Sequence, residues 1–302
     1  MKKYLLLMFS VFLASCTTTP EPPPPPTAPS ISRSVQTVID GPATAAALTA
    51  RYNDTQQNCR GSASMPAFLC SGVILRITTF STAYDAWDPS DNAIAKKGVS
   101  FSYLRKDSKF QRMPWNGTNG FVLYPIFGAP PDKIDPDVLC SYPIDGWTDT
   151  RNERCGTYPN NPTSQPCELQ NITTYTQWLA LYTQQAAANA KLCAFNVRDD
   201  RNQLAGPAFY ASLLAKSNGA PGDLRFVQHN ELVIAPWAKG QAKVLPLQAF
   251  FYTTSAGLAE AKRNRASFLS KAGTSLPLIK VTLPQTTAQD AQFVYIPADN
   301  TL

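Results

Sequence analysis

The chain has one histidine, His229, among 302 residues, and only 16% of it is charged. A single imidazole excludes His-cluster metal sites and routes any Ser-His-Asp or Cys-His mechanism through one position. No two cysteines have C-x-x-C spacing, so zinc is disfavoured as well. The sequence has no G-x-S-x-G elbow, no P-loop and no Rossmann G-x-G-x-x-G. It carries no run of Lys or Arg and no DNA- or RNA-binding motif. A formal charge of +6 is too mild to argue for a nucleic-acid partner.

The amino terminus is more informative. Lys2 and Lys3 precede an apolar stretch from Tyr4 to Phe12, followed by Leu13-Ala14-Ser15-Cys16, which reads as a bacterial lipobox. The apolar run is too short to be a permanent membrane span. Residues 1–16 are therefore expected to be a lipoprotein signal, with Cys16 the acylated residue that anchors the protein to a membrane. An ordinary secretory signal cleaved nearby is the competing reading. Thr17 follows the cysteine where an Asp would favour inner-membrane retention, so outer-membrane placement or release is expected. Residues 17–35 form a tether whose five consecutive prolines, Pro22 to Pro26, predict polyproline II.

Six further cysteines, Cys59, Cys70, Cys140, Cys155, Cys167 and Cys193, fit an exported, oxidised chain. Six cysteines allow fifteen connectivities. Cys59 with Cys70 is the expected pair because it closes a short loop. The other four sit in a segment poor in periodic apolar residues, where crosslinks would replace a thin core.

Residues 36–302 predict one α+β domain. Helices are expected at Ala43–Tyr52, Thr173–Leu192 (with Thr173 and Thr174 as caps), Pro207–Lys216 and Ala256–Ala272. Strands are expected at Val73–Thr79, Val99–Leu104, Phe121–Tyr124, Leu232–Ala235, Val244–Tyr252, Leu278–Leu283 and Gln292–Ile296. Irregular spacing without βαβ alternation argues against a doubly wound sheet. Within an insertion at about residues 127–200, the stretch from Phe127 to Cys167 is dense in Pro, Asp, Asn and Gly and reads as stapled rather than packed.

Three features have chemical potential. Arg76 lies in an otherwise apolar strand, where an unpaired charge is costly to bury. Ser100 and Ser102 share one face of their strand by their i, i+2 spacing, and His229 and Glu231 are spaced the same way. Each has a plainer reading, as a structural ion-pair partner, a surface strand and a solvated turn respectively.

An arginine strand, an S-x-S and a glutamate in that order resemble the ADP-ribosyltransferase toxin fold, with its Ser-Thr-Ser and Glu-x-Glu motifs. More narrowly, the chain resembles the halovibrin group of secreted bacterial proteins. The stretches that carry this are Arg51 to Thr55, Pro66 to Arg76, Gly98 to Phe110 (GVSFSYLRKDSKF), Asn230 to Ile234 and Leu247 to Tyr252. The resemblance implies a core of two small packed β-sheets with flanking helices, and cleavage of the nicotinamide–ribose bond of NAD as substrate, with no further cofactor. Glu231 would be catalytic, stabilising the oxocarbenium-like transition state. Arg76 would hold the NAD phosphates, and Ser102 with Ser100 would fix the strand. Phe101 stands where the motif has Thr. His229 stands where it has its first Glu, which favours water over a protein side chain as acceptor. Two other readings compete: a non-catalytic surface lipoprotein that binds a partner through the insertion, and a glycan-cleaving site at Asp145, Asp149 and Glu153.

Overall fold

In the computed structural model, the first helix, α1 (Gly41–Asn53), starts at Asp40, whose carboxylate accepts from Ala43 N at 3.0 Å. Such a cap contributes about 1 kcal/mol. Leu48 and Tyr52, four residues apart, are buried on the same side of α1. The structure describes residues 40–62, 65–78, 87, 99–108, 110–125, 127, 137–144, 167–185, 193–196, 209–214, 229–235, 246–286 and 288–301. The lipobox, the proline tether, Cys155 and the Asp145–Glu153 loop lie outside them. All described residues fall within one compact unit, Val35–Leu302.

Nine strands follow among the described residues: β1 (Val73–Ile77), β2 (Val99–Leu104), β3 (Asn119–Leu123), β4 (Asp137–Tyr142), β5 (Phe195–Asn196), β6 (Glu231–Ala235), β7 (Leu247–Tyr252), β8 (Leu278–Thr282) and β9 (Gln292–Tyr295). They form one sheet in the order β5-β4-β6-β2-β1-β3-β7-β8-β9. Every pairing is antiparallel except β7 with β8. That parallel pair needs a crossover, which helix α3 (Ser255–Ala272) supplies.

The α+β class expected from sequence is found, but the two packed sheets are not. One continuous sheet replaces them because β2 serves two ladders. Val99, Ser100 and Phe101 pair with Ile234, Val233 and Leu232 of β6. Ser102, Tyr103 and Leu104 pair with Leu75, Ile74 and Val73 of β1.

The two faces of the sheet are both covered. Val73, Leu75, Val122, Phe251, Ile279 and Val281 pack with Leu48 and Tyr52 of α1. Ile74, Phe101, Tyr103, Phe121, Phe250 and Leu278 pack on the other face with Phe209 and with Ala261 and Phe268 of α3. Alternation along the strands sorts these side chains. Helix α3 is capped by Thr254, which accepts from Gly257 N at 3.1 Å, and stops at Gly273, whose N–H donates to Leu269 O at 2.9 Å.

Several element limits differ from expectation for physical reasons. Strand β3 starts at Asn119 rather than Phe121, because Gly120 acts as a strand residue there. A Cβ on Gly120 would sit 1.9 Å from Arg76 O, so only glycine lets β3 approach β1. Strand β4 is not among the expected strands, and it corrects the reading of the stretch from Phe127 to Cys167 as stapled rather than packed. Leu139, Cys140, Ser141 and Tyr142 are buried, and β4 lies inside the sheet between β5 and β6. A register shift between Val138 and Cys140 breaks the alternation that would have revealed it.

Helix α2 (Tyr175–Gln185) begins where the paired threonines predicted. Gln177 N donates to Thr174 Oγ1 at 3.3 Å, while Thr173 N and Thr174 N donate to Gln177 Oε1 at 2.8 and 3.0 Å, a capping box. Beside it a satellite core gathers Ile172, Trp178 and Phe195 around the Cys167–Cys193 disulfide. The expected Cys59–Cys70 disulfide is present, and Cys140 is also disulfide-bonded. No described helix is long and apolar enough to cross a membrane.

Candidate functional site

The start of β6 is held to β2 by a side chain. The β2–β6 ladder ends at Phe101 opposite Leu232. One residue further, Asn230 Oδ1 accepts from Tyr103 N at 2.8 Å, and Asn230 Nδ2 donates to Tyr103 O at 2.8 Å. The carboxamide thus takes over where the main-chain ladder stops.

That clamp sets Glu231 across from Ser102, between the Phe101–Leu232 pair and the Tyr103–Asn230 pair. Directly opposed residues point to the same face. On the other side, Tyr142 of β4 pairs with Glu231. A carboxylate therefore stands between a serine and a tyrosine on neighbouring strands. Glu231 and Ser102 are each 1% exposed and Tyr142 is 4% exposed. Ser102 also pairs with Leu75 of β1, so the row continues from β4 across β6 and β2 to β1.

Arg76 is not brought into that row. It pairs with Phe121, on the face toward α3, and its guanidinium lies 5.9 Å from the Phe101 ring centre. Its Nη1 donates to the main-chain carbonyl of Ser100 at 2.5 Å. Arg76 thus reaches β2 through the backbone and from the opposite face to Ser102. Ser100 is partly buried and pairs with Val233. His229 is buried, and its ring lies 6.4 Å from that of Trp115.

Trp115 is a residue the sequence reading did not single out. It is 74% exposed and holds a left-handed backbone, φ 46°, in a turn between β2 and β3. An aromatic side chain in that region is uncommon and strained.

A buried polar cluster underlies the end of β2. Arg105 forms a two-pronged ion pair with Asp107, with Nε and Nη2 each 2.6 Å from a carboxylate oxygen. Its Nη1 donates to Gln56 O at 2.7 Å and to Ser71 Oγ at 3.2 Å. Tyr103 donates its hydroxyl to Ser71 O at 2.9 Å. Ser71 follows Cys70, so the Cys59–Cys70 disulfide anchors the loop on which these groups converge. Burial pushes the Tyr103 hydroxyl up to about 12. Burial lowers Arg105, but Asp107 and Tyr103 outweigh it and hold the guanidinium above its ordinary value. Both residues lie within the stretch GVSFSYLRKDSKF, yet nothing in the local pattern separates a buried Arg-x-Asp pair from a solvated one.

No protein-family model matches this chain, and no curated protein is significantly similar to it.

The chemistry available rests on the side chains themselves. No group of three or more His, Cys, Asp or Glu suited to a metal ion occurs among the described residues. A carboxylate flanked by hydroxyls on a water-poor sheet face can accept hydrogen bonds from substrate hydroxyls and stabilise a developing cation.

Proposed function

We propose that this protein cleaves the nicotinamide–ribose bond of NAD, with water as the favoured acceptor. The observation that carries this reading is the cross-strand placement of Glu231 against Ser102, fixed by the Asn230–Tyr103 clamp. Glu231 hydrogen-bonds the nicotinamide-side ribose and stabilises the oxocarbenium-like charge as nicotinamide departs. Ser102 and Tyr142 orient the carboxylate from either side. Arg76 braces β2 through Ser100 O, a different task from the phosphate contact that the resemblance implies. His229 stands where a second glutamate would assist transfer to a protein side chain, which favours hydrolysis.

The two described disulfides are compatible with an extracellular setting. The reading adds export through the lipobox and anchoring of Cys16 to the outer membrane, or release.

The test is nicotinamide release from NAD by the purified, oxidised full-length protein, with Glu231→Gln alongside. Release by the wild type and loss of at least a hundredfold in the variant support the reading. No release from folded wild type, with or without candidate acceptor proteins, overturns it and favours a partner-binding lipoprotein.

A further inference from the structure

Arg51 lies in the last turn of α1, and among the described residues its guanidinium has no carboxylate partner. Its Nη2 donates to Gln248 Oε1 at 2.7 Å, while its Nε is buried and makes no hydrogen bond. By contrast, Arg105 is paired with Asp107, and Lys106 with Asp290 at 2.8 Å. Among the described residues no carboxylate lies within ion-pair distance of Arg51.

Gln248 reaches Arg51 through a bulge. Ala249 pairs with Val122 and Leu247 with Leu123, leaving Gln248 as the extra residue on β7. Bulges re-aim a side chain in this way. Because the carboxamide oxygen faces Arg51, its NH2 group is a further donor. Tyr103 is an ionisable neighbour that acts on Arg51, and with its hydroxyl raised by burial to about 12 it is neutral at pH 7. The Tyr103 hydroxyl is committed to Ser71. Among the described residues, the locus therefore offers donors and a positive charge with no carboxylate to meet them.

Burial lowers Arg51 to about 10, so it remains a cation at neutral pH. Arg51 is half-buried, and a guanidinium nitrogen held away from water without an acceptor is unfavourable. Guanidinium groups recognise oxyanions through paired N–H donors. An additional amide donor beside them suits an ion with more than two oxygens.

We propose that Arg51 and Gln248 form a binding site for a phosphate-class oxyanion. The site is independent of the NAD reading, since β2, β1 and β3 separate β7 from the β6 strand that carries Glu231. The ligand is inorganic phosphate or a small phosphate ester, which share this chemistry.

The experiment is thermal unfolding of the purified full-length protein in phosphate-free buffer. Sodium phosphate is titrated against sodium chloride and sodium acetate at matched ionic strength. Wild-type Tm is expected to rise with phosphate and not with chloride or acetate, following the logarithm of ligand concentration. Arg51→Gln is expected to abolish the response. Gln248→Glu places a carboxylate against the guanidinium, so it is expected to raise Tm without phosphate and to remove the phosphate response. No wild-type response, an equal response to acetate, or a full response in Arg51→Gln overturns the site. If Arg51→Gln does not fold, a full phosphate response in Gln248→Glu overturns it equally. Glycerol 3-phosphate saturating below inorganic phosphate marks an ester as the ligand; equal saturation marks free phosphate.

Discussion

Asn230 grips the main chain of Tyr103 with both ends of its carboxamide, at 2.8 Å in each direction. It is 3% exposed and sits immediately before Glu231. Asn230→Ala removes both bonds and leaves a buried N–H and C=O unsatisfied, at a cost of about 2–4 kcal/mol. Asn230→Asp keeps an acceptor for Tyr103 N but sets a second acceptor against Tyr103 O. Both variants are expected to lower the urea midpoint and, under the NAD reading, to lower kcat more than they raise KM. An Asn230→Ala midpoint indistinguishable from wild type would show that the clamp is dispensable.

Tyr103 predicts an alkaline signature. Its hydroxyl is raised by burial to about 12, so the folded state holds the proton more tightly than the unfolded chain, which releases it near 10. The stability this contributes is present below pH 10 and is lost as pH rises from about 10 to about 12. Arg51 acts in the opposite sense. Its lowered value means that the penalty of its buried charge is relieved as pH rises above about 10. Tyr103→Phe should therefore gain on wild type between pH 10 and 12, although it loses a hydrogen bond worth about 1 kcal/mol at pH 7. Denaturant midpoints of both proteins across that range check it. A constant difference would contradict it.

The Cys59–Cys70 bridge spans 11 residues. Loss of a crosslink of that length costs about 3 kcal/mol by chain entropy. The double variant Cys59→Ser/Cys70→Ser should lose that much stability. It should also loosen Ser71, and with it the Tyr103 and Arg105 contacts. Hydrogen exchange should then rise at residues 71–73 and 103–108. Exchange confined to residues 59–70 would show that the bridge acts on its own loop alone.

Gly120→Ala tests the β1–β3 contact. The added methyl meets Arg76 O at 1.9 Å, and that neighbour is backbone rather than a side chain that can turn aside. The strands must part, and a loss of roughly 3 kcal/mol is expected in chemical denaturation. A loss below about 0.5 kcal/mol would mean that the sheet yields there without strain.

Periodicity made much of this architecture legible. Val99–Leu104 was expected and found residue for residue, and α3 began one residue before its expected start. Thr173 and Thr174 announced α2 because a cap is a local event, settled within one turn. β4 was illegible because a bulge breaks its alternation, and its burial depends on β6, which lies far along the chain. The site divides the same way. His229 and Glu231, with Ser100 and Ser102, could be named from chemistry and spacing. That Ser102 faces Glu231 while Arg76 faces Phe101 depends on cross-strand register, which no single segment encodes. Asn230 went unread for the same reason, since its partner is Tyr103.

The first helix and the last strand complete one another. Ala291 N donates to the Tyr52 hydroxyl at 3.0 Å, and the Tyr295 ring lies over Gly41 so closely that a Cβ there would collide with it. Arg265 fastens the carbonyls of Asn300 and Thr301 at 3.1 and 2.9 Å. A chain that emerges amino end first presents Tyr52 239 residues before Ala291 can meet it, so this side of α1 waits on β9. Closure of α1 against β9 is therefore a late event in the folding of this domain. A stall before residue 291 leaves α1 without that partner, and such a species is a client for holdases and proteases.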